Sequence, residues 1–370
     1  MSGRRARGWR RIVVATDFSP MARVALRSAE ALARDTGTGL VLVHVIDLPS
    51  TTYTFGVERL GFPDIREAWA TEARRTLLSA AARLHRRGLD AVEVDVRIGK
   101  SWVQVVESAR AHGADLVVLG NSGRSRFDRL LLGSTAENVV RHSPVPVLVT
   151  RTRPLRGLSR VLVPVAFDEG SRAAVAFARE RLPRRVEIEA FHAAAPIAVA
   201  EPWLPVPPPS IPELTRELRA FLREAGAARM RQRVEVADDA GAAILRRART
   251  WKADLILLST HGRGGFSHLL LGSVAEKVAR YADRPVLVLP PPGRAAPAEV
   301  PVAEVPAAQR PRARTAPLEK PAVRPIPRPP VRKRPGPWTG QAHTGRGGPQ
   351  GRRGVGSKAG MKTHRARTPK

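Results

Sequence analysis

The sequence predicts an α/β protein of two tandem, doubly wound parallel-sheet domains with a disordered basic C-terminal tail, and three observations carry that reading. The string GNSGRSRFDRLLLGSTAENVV, beginning at Gly120, returns 139 residues later as STHGRGGFSHLLLGSVAEKVA, beginning at Ser259. A repeat of that length means one folding unit present twice. Within each unit short apolar runs alternate with helical patterns, as right-handed βαβ crossovers and a parallel sheet covered on both faces require. Beyond residue 290 the composition changes: residues 291–370 hold 18 Lys and Arg against 3 Glu, and 16 of the 33 prolines.

The first unit, residues 11–152, opens with an apolar strand over 11–15, a short turn, and Ser19 and Pro20 as N-cap and first helical residue. The helix runs over 21–33. A strand follows at 40–46, a helix at about 65–87, a strand at 92–96, a helix at 102–111 and a strand at 116–119. The glycine loop comes next, then a helix at 134–141 whose Ser134 and Glu137 read as a capping box, and a closing strand at 145–149. The second unit, residues 159–290, repeats the order: strand 161–165, helix 171–181, strand 186–191, helix 213–225, strand 234–236, helix 242–249, strand 255–258 and closing strand 286–289. A proline-rich connection spans 196–212. The link over 151–159 is short, which predicts two sheets packed together, and apolar closing edges such as 145–149 need cover, which predicts a pseudo-twofold pairing of the repeats. A further pairing of two chains stays open.

Composition removes several classes of function. With no cysteine, disulfide scaffolds, thiolate zinc sites, iron–sulfur clusters and Cys nucleophiles are all excluded. The basic N-terminus MSGRRARGWRRI precedes only a four-residue apolar run, too short for a signal peptide, and no apolar run approaches a membrane span. The expected location is cytoplasmic. The net charge is +30, half of it in the tail, where basic clusters are spaced through a Pro-rich and then Gly-rich segment. Such a segment lacks the apolar surface to offset its ordering entropy and predicts disorder. It would attract nucleic acid or another polyanion through counterion release; a solubilising extension and an anionic membrane surface are the alternatives.

Gly120, Gly123, Gly133 and Ser134 stand in a G-x2-G-x9-G-S pattern between an apolar run and a helix. Glycines at the carboxyl end of a central strand let the backbone close on a ligand, and the helix N-terminus supplies free N–H groups and partial positive charge for phosphates. The hydroxyls of Ser134 and Thr135 add donors. Tight turns and a cap would use the same residues, so spacing alone leaves both readings open.

At these residues the chain resembles the universal stress protein family, whose ATP-binding members carry this pattern after the fourth strand. Ala15-Thr16-Asp17-Phe18-Ser19 is similar to the family's first-strand turn, His44-Val45 to its second-strand end, and the run over 143–149 to its final strand. The resemblance covers residues 11–290 and implies an adenine nucleotide hydrolase-like fold with ATP, with or without Mg2+, as ligand in a stress-response or regulatory module. It implies that Asp17 and Val45 meet the adenosine end and that Gly120, Gly123, Gly133, Ser134 and Thr135 hold phosphates. Asp17 also reads as a turn residue. The second unit departs from the pattern: Ala166 stands where Asp17 does and Ser259 replaces Gly120, while Gly262, Gly272 and Ser273 remain as a second, weaker site. Asp168 reads as the cap of the following helix.

Other motifs are set aside. Gly99-Lys100-Ser101 imitates a Walker A end but lacks its upstream glycine, and Gly99 reads as a turn. The histidines show no metal-ligand spacing, and no G-x-S-x-G elbow is present. An ATP-cleaving enzyme is disfavoured, with slow hydrolysis left open. The competing class of function is a polyanion-binding or scaffolding protein acting through the tail, with the repeats as a platform.

Overall fold

The computed structural model describes residues 8–47, 63–121, 132–194, 210–260 and 272–291. Gly123, Gly262, most of the proline-rich connection and the tail beyond residue 291 lie outside the described residues. The first repeat comprises β1 (Arg11–Ala15), α1 (Pro20–Thr36), β2 (Gly39–Ile46), α2 (Pro63–His85), β3 (Val92–Ile98), α3 (Ser101–Ala111), β4 (Leu116–Gly120), α4 (Ser134–His142) and β5 (Val147–Thr150). The second comprises β6 (Arg160–Pro164), α5 (Glu169–Arg181), β7 (Glu187–Ala194), α6 (Ile211–Glu224), β8 (Arg231–Val236), α7 (Ala240–Thr250), β9 (Leu255–Ser259), α8 (Ser273–Tyr281) and β10 (Val286–Leu289). The alternation expected from sequence is thus present twice. β8 begins three residues earlier than its apolar run, because Arg231 and Arg233 are the exposed positions of an edge strand and hide the pattern.

The helix boundaries follow local chemistry. Ser19 caps α1 by accepting from the Ala22 N–H at 3.1 Å, Pro20 occupies the first turn, and Gly37 ends the helix at φ 69°, donating to the Ala33 carbonyl at 2.7 Å. Asp168 accepts from the Ser171 N–H at 2.7 Å, so it caps α5 as expected. The complete capping box of the chain's described helices is at Ser210 and Glu213, ahead of α6. At α4 the expected box is corrected: Gly133 is the N-cap, with extended backbone and no side-chain cap bond, and Ser134 is the first helical residue.

All ten strands join one sheet in the order β3-β2-β1-β4-β5-β10-β9-β6-β7-β8. This corrects the expectation of two packed sheets. Every neighbouring pair is parallel except β5 and β10, which run antiparallel with Leu148 opposite Leu287. Both strands are short apolar edges with unpaired backbone groups, and direct pairing satisfies those groups where face-to-face packing would leave them bare. Strand side chains alternate between two cores: α1, α2, α5 and α6 cover one face of the sheet, and α3, α4, α7 and α8 cover the other. On the first face the linker lies beside α1. The Leu155 N–H donates to Ser28 Oγ at 2.9 Å, and the buried Leu155 side chain meets Leu116, Leu148, Leu255 and Leu287 around a small apolar hollow on the seam. Trp9 lines the same hollow and reaches across to Phe177 of the second repeat, ring centroids 5.8 Å apart.

At the outer edge of the first repeat Asp95 joins β3 to α3. Its Oδ2 accepts from Arg97 Nε at 2.7 Å and Ser108 Oγ at 2.8 Å and lies 3.3 Å from His112 Nε2. Burial opposes ionisation there, but the bonds from His112, Arg97 and Ser108 outweigh it and hold the carboxyl below the ordinary aspartate range. The stability this contributes is present above the unfolded aspartate value near ~3.9 and is lost as pH falls below it. An Asp95→Asn variant is expected to be destabilised at neutral pH and to show a shallower loss of stability than the parent below about pH 4, measured by urea unfolding across that range. At the seam, Leu148→Ala and Leu287→Ala should each cost roughly 2–5 kcal/mol, and because the two side chains oppose each other the double variant should depart from additivity by more than about 0.5 kcal/mol.

Candidate functional site

The candidate crevice lies at the carboxyl ends of β1, β2 and β4. β1 ends at Ala15, and the Thr16 N–H continues the ladder to the Val43 carbonyl at 2.9 Å. Phe18 then turns the chain at φ 65°, a conformation unusual for an aromatic residue and held by several bonds. Its N–H donates to Thr16 Oγ1 at 3.1 Å, and the Ser19 N–H donates to Asp17 Oδ1 at 3.0 Å. His44 lies 2.7 Å from the Thr16 carbonyl through Nδ1, so that nitrogen carries the proton, and its ring stacks on Phe18 at 4.4 Å. The Asp17 carboxylate therefore makes the turn bond expected of it, in a half-buried position at the mouth of the crevice.

Val45 is half-buried at the end of β2, and with Ala15 and Trp102 it packs against the core on the α4 side of the sheet. Trp102, in the first turn of α3, stacks on His142 of α4 at 4.4 Å and carries Lys100 Nζ 5.4 Å from its ring. Sequence reasoning missed this aromatic pair between the start of α3 and the end of α4; an indole opening a helix after an apolar strand was the available signal. Gly99, at φ 137°, is the turn into α3 as expected. The Ser101 N–H and Oγ both donate to Asp47 Oδ2, at 3.1 and 2.7 Å, so the N-terminus of α3 is already occupied by a carboxylate.

The ends of the glycine loop are pinned together. The Asn121 N–H donates to the Thr150 carbonyl at 2.8 Å, and the Gly133 N–H donates to the Asn121 carbonyl at 2.7 Å. Gly133 then caps α4 by backbone alone, and Ser134 and Thr135 stand exposed in the first turn. The first-turn N–H groups of a helix have no intrahelical acceptor and point out along its axis with the positive end of the dipole. Asp17, Val45 and this N-terminus open from the same end of the sheet, and Val45 and α4 lie on the same face.

Gly120 has a second reason to be glycine. A Cβ there would stand 3.0 Å from both the carbonyl carbon and the Cβ of Met21, in the first turn of α1. In the second repeat the pair is exchanged: Ser259 stands at the Gly120 position and the buried Gly170 at the Met21 position. The loss of that glycine therefore accompanies a packing swap. The rest of the second crevice keeps the first one's backbone. Phe167 turns at φ 57°, His192 Nδ1 lies 2.8 Å from the Val165 carbonyl, and the Gly272 N–H donates to the Thr260 carbonyl at 2.8 Å, with Ser273 opening α8. Its side chains differ: Ala166 replaces the acid, and Gly241 replaces Trp102, its space taken by the stem of Lys277, which ion-pairs with Asp239.

The duplicated crevice can be set against known proteins. The model of the universal stress protein family matches the chain twice, over residues 8–151 and 157–290. The chain belongs to the universal stress protein family. Among curated relatives, universal stress protein Rv2623 of Mycobacterium tuberculosis is 28% identical over 291 residues, covering 75% of this chain and 95% of the relative. Universal stress protein Rv2005c of the same organism is 30% identical over 264 residues, covering 67% and 86%. A universal stress protein structure from Archaeoglobus fulgidus aligns with TM-score 0.56 at 20% identity, over 75% of this chain and 95% of that one, a likeness of fold. In this universal stress protein the two copies share a backbone and differ in the side chains that line it.

The packing swap makes a specific expectation. Gly120→Ser alone should cost about 1–3 kcal/mol through overpacking against Met21, and adding Met21→Gly should return part of that loss, giving a favourable coupling of at least about 0.5 kcal/mol in a double-mutant cycle by chemical unfolding.

Proposed function

We propose that the N-terminal repeat binds ATP in this crevice and that the protein works as a nucleotide-responsive stress or regulatory module in the cytoplasm. The observation that carries the reading is the convergence of Asp17, Val45 and the N-terminus of α4, capped by backbone alone, at one end of one sheet. The phosphates would meet the first-turn N–H groups and the hydroxyls of Ser134 and Thr135, with Gly133 allowing close approach. Asp17 Oδ1 is committed to the Ser19 N–H, so the carboxylate is already oriented before a ribose hydroxyl bonds to it. Val45, half-buried at the end of β2, would supply apolar wall for the base. Gly120 and Gly123 complete the loop in this reading. Among the described residues no group of three or more acidic or histidine side chains forms a metal site, so an accompanying Mg2+ would be carried on the phosphates.

The second crevice, with Gly262, Gly272 and Ser273 but no acid at position 166, would hold phosphates weakly. A second reading, polyanion binding through residues 291–370, is favoured by that segment's 18 basic against 3 acidic residues.

Calorimetric titration with ATP tests the first reading. Asp17→Ala should weaken binding about 10- to 100-fold, the loss of a charge-assisted hydrogen bond, and Ser134→Ala about 2- to 10-fold, with the fold unchanged by circular dichroism. Equal affinity in the parent and Asp17→Ala proteins, or no ATP binding by the full chain, would remove the proposal.

A further inference from the structure

The linker between the repeats carries four arginines and no acid over residues 151–160. It is fixed on the surface: Leu155 is buried in the seam and its N–H is bound to Ser28 of α1. Arg153 and Arg156, either side of Leu155, are left exposed, as is Arg27, the neighbour of Ser28. Leu182 lines the same hollow as Leu155 and Leu158, and two and three residues on stand the exposed Arg184 and Arg185.

None of these five guanidinium groups has a hydrogen bond or ion pair among the described residues. The carboxylates around them are taken. Glu30 holds Arg34 and Arg87, Glu180 holds Arg179, and Asp254 accepts the N–H groups of Ser159 and Arg160. Other exposed arginines of the body do find carboxylates, as Arg75 does with Glu72 and Arg110 with Glu107. Arg153 and Arg156 on a strap that is bolted to a helix and to the core, with Arg27, Arg184 and Arg185 on the elements beside it, form a preorganised polyanion surface.

We propose that this strap, on the sheet face opposite α4, is a nucleic-acid-binding surface of the folded body that grips the phosphate backbone without reading sequence. Arginine forks match phosphate geometry, and phosphate contacts position a duplex without specifying it. The large exposed apolar side chains, such as Trp69, Ile211 and Tyr281, lie on other elements, so the strap has nothing to insert into a lipid surface.

The test uses the full chain with its tail intact and a short mixed-sequence DNA duplex, followed by fluorescence anisotropy across a salt series. Replacing Arg27, Arg153, Arg156, Arg184 and Arg185 together by glutamine should lower the slope of log affinity against log salt by about four and weaken binding at physiological salt at least about tenfold, at ~0.9 counterions released per phosphate contact. Replacing the same five by lysine should keep most of the slope. In the unaltered protein, bound duplex should shield the five arginines from phenylglyoxal, read by peptide mass mapping; this arm does not depend on the folding of any variant. An unchanged slope in the glutamine variant, or equal labelling with and without duplex, overturns the proposal in favour of binding by the tail alone. Loss of binding to phosphatidylserine vesicles with duplex binding unaffected overturns it in favour of a membrane surface.

Discussion

The antiparallel pairing of β5 with β10 is the contact on which the rest of the structure depends. Each repeat ends in a four-residue strand whose backbone would otherwise face water on one side. Pairing the two edges turns two five-stranded sheets into one of ten, with Leu148 and Leu287 in opposition. The linker is then free to lie on the seam, where Leu155 and Leu158 join Trp9 in closing the apolar hollow. The result places α1 and α5 on one face and α4 and α8 on the other, and because β5 and β10 run antiparallel the strand ends of the two crevices lie at opposite ends of the sheet.

Duplication also separates what the fold requires from what a site requires. Both copies turn out of their first strand through a phenylalanine in the left-handed region, its ring against a histidine that is bonded to the carbonyl two residues before the phenylalanine. Both pin the loop ends by a glycine N–H on the carbonyl of the residue after the fourth strand. These features survive in the copy that lacks the acid, which assigns them to the backbone. The acid and the indole are what the first copy has in addition; at the matching positions the second has an alanine and a glycine crowded by Lys277.

Much of this was legible along the chain because it is local. Alternation of apolar runs with helical spacing located nearly every element, and Ser19-Pro20 and Asp168 announced their helices. Boundaries slipped where side chains on an edge strand face water, as in β8, and where a cap is made by backbone alone, as at Gly133 ahead of Ser134. The packing role of Gly120 could not be read without Met21, since the two are remote in sequence and meet only when α1 lies across β4.

By itself the sequence determined the doubly wound class, the two copies, the order of elements and the residues that stand at the strand ends, because periodicity and capping act over a few residues. Only the tertiary structure decided that the sheets fuse rather than stack and that the linker presents its arginines on a fixed surface. Those outcomes depend on which edges, faces and side chains find one another across distances of a hundred residues or more, where the free energy comes from pairing and packing and leaves no mark in local pattern.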